Sequence, residues 1–163
     1  MELHALTGQL YIVDGVEQDS SEVPGLLAMP APSKAVHSRQ HEVFFVHLSL
    51  SGSIIETADL VHTHLMRMSD RYFESVGSVT AALRGVIQET NNWLLQLNLE
   101  GDGAAREGAV TCAVQRGNEL FIVQAGESLA LIGRNFGVER MPARPPEHVT
   151  PLGQSAGIDF RYF

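Results

Sequence analysis

Hydrophobic and polar positions along the chain change period several times, and each change marks an element. Between Gly108 and Gly133 the runs are short, β-prone and punctuated by glycine. Residues 109–115 and 119–125 are rich in Val, Ile, Phe and Thr, and Gly117-Asn118 between them suits a two-residue hairpin turn, so the two runs pair antiparallel. Gly126-Glu127-Ser128 then turns the chain into residues 129–132. That third strand is expected to return along the second and complete a β-meander.

Upstream, residues 10–13 read as a short strand ended by the turn pair Asp14-Gly15. Residues 18–34 contain Pro24, Pro30 and Pro32 among Ser and Gly, and are expected to be a surface loop. Residues 43–50, VFFVHLSL, form an apolar run that predicts a central strand. Ser51-Gly52-Ser53 breaks it, and Ser53 with Glu56 matches a capping box that starts a helix. Val61, Leu65, Met68 and Tyr72 recur at helical spacing, which predicts one buried stripe ending near Phe73. Ser78 is the expected N-cap of a second helix running to about residue 97, with Val79, Leu83, Val86, Ile87, Thr90, Leu94 and Leu97 on its apolar stripe. The two helices should form an antiparallel hairpin covering one face of a sheet. Residues 136–141 predict another short strand, and residues 158–163 a last apolar, aromatic one. Strands joined by hairpins rather than by helices make this an α+β fold.

Composition narrows the function classes. At 163 residues the chain suits a single domain, which at this size buries roughly 70% of its unfolded surface. A hydrophobic fraction of 44% and a charged fraction of 18% belong to a globular protein. Acids outnumber bases 19 to 11, and the net charge of −8 opposes nonspecific binding to a phosphate backbone, so nucleic acid is not an expected partner. The beginning MELHALTGQL does not have the form of a secretory leader, and no run is long and apolar enough to span a bilayer; a cytoplasmic location without membrane attachment is the expectation. Cys112 is the sole cysteine and lies in an apolar strand, where a small core residue is expected.

The strand, Gly-Asn turn, strand, Gly-Glu-Ser turn and further apolar strand resemble the middle of PPM-type, metal-dependent serine/threonine phosphatases, which carry Gly-Asp-Ser at the second turn. GSVTAALRGVIQETNNWLLQLN is similar to the helix before it, and TPLGQSAGIDFRYF to the Leu-Gly segment and strand after it. The resemblance implies a sandwich of two antiparallel sheets, here incomplete because the family's C-terminal segment lies beyond the part matched by residues 153–163. It also implies a site where carboxylates hold two divalent ions, magnesium or manganese, and a bridging water that attacks phosphorus.

The ligand positions implied by the resemblance are mostly altered. The family's turn aspartate falls on Ser49, a poor ligand, and Gly52 alone survives of the glycines. The earlier acidic pair falls on His41-Glu42, leaving Glu42 as the one candidate metal ligand. Arg39 lies near a phosphate-binding arginine of the family, but its spacing to Glu42 is shorter and that role is not carried over. Glu127 is expected to shape its turn. His62 and His64, two apart on a helix, point about 200° away from each other and cannot share a metal. His47 is expected to be a structural histidine of its strand, and the triple Ser49, His47, Asp59 has no nucleophile elbow to support it. Asn91, Asn92 and Trp93 are expected to pack, Trp93 at the edge of its helical stripe.

These readings lead to an inactive PPM-like domain acting as an interaction or regulatory module, with no catalytic residues, no cofactor-binding residues and no cofactor. The alternative is a working phosphatase using Mg or Mn, whose remaining ligands lie past residue 163 or at positions other than those matched above. A protein partner, and in particular a homodimer through sheet surface including Phe160, Tyr162 and Phe163, is expected because the aromatic finish at residues 158–163 reads as an end that a partner or a continuing chain covers.

Overall fold

A computed structural model describes residues 4–18, 23–51, 58–101, 105–144 and 147–163. In chain order they form β1 (Ile12–Val13), β2 (Val16–Glu17), β3 (Leu26–Pro30), a 3₁₀ turn (His37–Arg39) and β4 (Glu42–Ser51). The helices α1 (Ala58–Glu74) and α2 (Val79–Glu100) follow, then β5 (Glu107–Arg116), β6 (Glu119–Ala125), β7 (Ala130–Arg134), β8 (Gly137–Met141) and β9 (Arg161–Tyr162). The main sheet runs β3-β4-β5-β6-β9, antiparallel throughout, while β1–β2 and β7–β8 are separate two-stranded hairpins. The fold is α+β.

Alternation along β4 defines the two faces of this sheet. Glu42, Phe44, Val46 and Leu48 are buried, and His47 and Ser49 between them are exposed on the other side. The register Phe44↔Val114, Val46↔Cys112 and Leu48↔Val110, continued by Cys112↔Val123, carries the buried face across to β6. Both helices pack on this inner face. Leu65, Met68 and Tyr72 of α1 and Val79, Leu83, Val86, Ile87, Thr90 and Leu94 of α2 are buried, as their stripes predict. Each fully buried large apolar side chain contributes roughly 1.5–3 kcal/mol, so this two-layer core supplies most of the favourable burial. Ser78 caps α2 by accepting a hydrogen bond from the Ala81 N–H at 3.2 Å. The capping box at Ser53 and Glu56, and Gly52, lie outside the described residues.

Two expectations are corrected. Residues 18–34 are not all loop, because Leu26–Pro30 form β3 against β4. Apolar Leu26, Leu27 and Met29 suit a half-covered edge, and Pro30 pairs with Val43 at the strand's end, the kind of edge position where a missing N–H is tolerated. Gly25 leads in at φ +75°, and a Cβ there would lie 2.2 Å from the Leu48 carbonyl oxygen.

The meander is also not formed. The strand after Gly126 leaves the sheet and pairs with β8, with Ala130↔Met141 and Arg134↔Gly137 at its ends. The edge of β6 is instead taken by β9, where Ile122 and Phe163 exchange both backbone hydrogen bonds at 2.9 Å. The turn directs this choice. Gly126 sits at φ +70°, where a Cβ would stand 2.8 Å from the Ala109 Cα, the Ser128 hydroxyl donates to the Val110 carbonyl, and Arg161 of β9 donates to the Gly126 carbonyl at 2.5 Å.

Candidate functional site

Glu42 begins β4 with its side chain inward and 1% exposed. A lone buried carboxylate is costly, and three partners converge on this one. Arg39, on the 3₁₀ turn just before it, donates from Nη1 to Oε2 at 3.2 Å. The Tyr72 hydroxyl on α1 donates to the same oxygen at 2.5 Å. Arg116, the cross-strand partner of Glu42 at the end of β5, holds Oε1. Arg39 is itself fully buried; its Nε donates to the Ser75 carbonyl at 2.7 Å and its Nη2 reaches the carbonyls of Gly77 and Ser78. Its guanidinium carbon lies 4.3 Å from the Tyr72 ring centroid. Burial and the neighbouring Glu42 hold the Tyr72 phenol protonated, well above its ordinary range. The cluster therefore ties the α1–α2 connection to the start of β4 through one carboxylate.

Ser49 lies within β4 opposite Ala109, on the outer face. Seven residues of strand separate it from Glu42, roughly 23 Å at 3.3 Å per residue, and an odd separation places the two on opposite faces. No ion can bridge them. Among the described residues no three His, Cys, Asp or Glu side chains are grouped so as to hold a metal ion.

The remaining candidates are dispersed. His47 and Ser49 share the outer face, whereas Asp59 begins α1, which packs on the inner one; the triple is not assembled. His64 is buried, stacked on Trp93 with ring centroids 3.8 Å apart, and its Nε2 lies 3.2 Å from the Thr90 hydroxyl. Burial, with the Arg67 charge nearby, lowers its pKa to about 4. His47 is exposed at its surface, yet the strand and neighbours around its ring strip part of its water and lower its pKa too. Cys112 is fully buried, and the same desolvation raises its thiol well above the ordinary value. Glu127 is exposed in the turn, next to the Gly126 and Ser128 atoms that Arg161 grips.

Asn91 does more than pack. Its Oδ1 accepts from the Gly153 N–H and its Nδ2 donates to the Ser155 carbonyl, both at 2.8 Å. Two helical turns on, Asn98 accepts from the Arg106 N–H and donates to the carbonyls of Arg106 and Gly153. The two amides clamp the Leu-Gly segment to α2, with Leu152 exchanging backbone hydrogen bonds with Gly108. Gly153 is at φ +87°, and a Cβ there would stand 2.9 Å from that of Leu94. Asn92 is exposed and accepts from Gln88.

Tyr72 and Arg116 are the cluster members that spacing does not reveal, since they lie 30 and 74 residues from Glu42. Tyr72 reads from sequence as an apolar-stripe residue, and its hydroxyl is the one hint that its buried end needs a partner.

Scanned against protein-family models and curated proteins, the chain matches none. No described helix is long and apolar enough to cross a membrane.

Proposed function

We propose that this chain is a PPM-like domain that does not catalyse phosphoryl transfer and works as an interaction module. The observation that carries the reading is the state of Glu42. The one carboxylate that the resemblance would assign to metal is enclosed by Arg39, Arg116 and Tyr72, and freeing it would leave two arginines facing each other. A cation is repelled from such a place, and the carboxylate lone pairs are committed. The working surface in this reading is the outer face of the sheet. There Phe45 and Ala113 are half-buried and His47 exposed around a hollow that residues 6–9 also line, while Ile122 and Gln124 further along the same face are buried.

The test is hydrolysis of p-nitrophenyl phosphate by the full chain with manganese or magnesium, alongside a thermal melt with the same ions. Turnover at the level of the metal-only blank is expected, with an unchanged melting temperature, since an ion stabilises a fold only by binding it. Metal-dependent turnover abolished by Glu42→Gln would overturn the proposal in favour of a working phosphatase.

A further inference from the structure

Among the described strands, β9 takes the edge of the main sheet at β6 and none takes the opposite edge at β3. In an antiparallel pair alternate residues bond to the neighbouring strand, and those between point their backbone groups away from it. The bonds from Leu48 N–H to the Gly25 carbonyl and from Ala31 N–H to the Glu42 carbonyl fix the phase. Leu27 and Met29 therefore bond to β4, and Leu26, Ala28 and Pro30 face the open edge. Among the described residues nothing bonds to the Ala28 N–H or to the carbonyls of Leu26, Ala28 and Pro30 from that side. Such an edge pairs with any extended segment within reach. One lies alongside. Residues 6–9 border residues 26–28 at the hollow of about 330 Å³ that Phe45 and Ala113 also line, and His4 and Ala5 border Pro30 and Ala31. The segment thus runs antiparallel to β3 without being seated on it. Residues 4–10 are exposed, Leu6 at 99%, and no backbone hydrogen bond joins residues 4–9 to β3.

Bonding phase and side-chain period select one register. A strand added here must bond to residues 26, 28 and 30, and residues directly opposite each other share a face of the sheet. Opposing Leu6 to Ala28, Gly8 to Leu26 and His4 to Pro30 agrees with the adjacency of the two segments. It extends the outer-face row Ala28, Phe45, Ala113 and Ile122 by one leucine. A slip by one residue would put Thr7 in that row and send Leu6 to the helix side. We infer that residues 4–9 are a strap that closes on β3 as a sixth strand of the sheet, carrying Leu6 into the hollow against Phe45. The lining holds no Asp, Glu, Lys or Arg, so closure buries no unpaired ion. A closed strap occupies part of the outer face and competes there with any partner. That regulatory consequence rests on the reading of the outer face as a working surface, whereas closure itself needs no partner and does not depend on whether the chain is catalytic.

Disulfide trapping in the full chain tests the register. Leu6→Cys with Ala28→Cys sets two thiols on residues whose Cα atoms lie about 5.5 Å apart in the closed strap, within the span of a disulfide. Cys112 is buried and does not compete. Under mild oxidation this pair should cross-link within the monomer at least about tenfold faster than Thr7→Cys with Ala28→Cys, whose thiols point to opposite faces. Equal rates overturn the inference, and so does a cross-link found only in covalent dimers, which would give the edge to a second copy. Amide exchange of the chain without added cysteines is the second readout. The Ala28 N–H, unbonded while the strap is released, should exchange more slowly than in Leu6→Asp, by about tenfold, because the aspartate forfeits the burial that closes the strap. Leu6 is exposed in the released position, so the variant keeps its core, and circular dichroism checks its folding. An Ala28 amide that exchanges equally fast in both proteins overturns the inference. The hydrolysis assay judges the non-catalytic reading separately, since strap closure and turnover are independent readouts.

Discussion

Phe44 and Phe45 are neighbours in sequence and belong to different worlds. Phe44 is fully buried on the helix side, stacked on Tyr72 at 5.1 Å and edge-on to Phe73 at 6.4 Å. Phe45 points to the outer face and is half-buried, lining a hollow with residues 6–9. The same contrast holds for the histidines, His64 buried under Trp93 and His47 exposed. On the inner face polar groups are few and each is answered, Glu42 by two arginines and a tyrosine, Asn91 by two backbone groups. On the outer face Gln124 is fully buried with Oε1 unpaired, and its cross-strand neighbour Arg161 leaves Nε unpaired. The inner face is the one that holds the fold together, and the outer one leaves buried polar atoms unanswered.

The sharpest way to break this contrast is at its costliest point. Glu42→Gln leaves Arg39 buried without its counter-charge and should destabilise the chain by about 3–5 kcal/mol in urea unfolding. A loss below about 1 kcal/mol would show that the cluster is open to water.

The phenylalanine pair tests the faces directly. Phe44→Ala should cost about 3–5 kcal/mol, as aromatic deletions in a packed core do. Phe45→Ala should cost a fraction of that, because its ring is half-buried. Equal costs would mean that the two faces are covered alike within the single chain.

The histidines give the clearest sign. The folded pKa of His64 is about 4, below its ordinary 6.5. Between those values the unfolded chain binds a proton that the folded chain does not, so stability falls as pH falls from about 6.5 towards 4 and the loss is complete below that window. The limiting slope is about 1.4 kcal/mol per pH unit. Denaturant midpoints across the window should flatten in His64→Phe, which keeps a ring against Trp93. His47→Phe should flatten them less, and an identical change in both would erase the distinction between the faces.

Much of this architecture was legible locally. Helical spacing marks the stripes of α1 and α2, Ser78 the cap of α2, Gly117-Asn118 the β5–β6 hairpin, Asp14-Gly15 a turn whose second strand, Val16–Glu17, was not expected, and VFFVHLSL the central strand. These are decided by side-chain period and by backbone freedom within a few residues, so the amino-acid order alone determines them. Which strand takes the edge of β6 is different in kind. Residues 129–132 and 158–163 both qualify as strands, and the choice falls to β9 because Arg161 reaches the Gly126 carbonyl and Ile122 pairs with Phe163 across some forty residues of chain. The fate of Glu42 is decided the same way. A carboxylate three residues after an arginine is ambiguous until Tyr72 and Arg116 arrive from a helix and another strand, and their arrival depends on how the layers stack. Local chemistry set the elements, and long-range packing determined which polar groups met inside them.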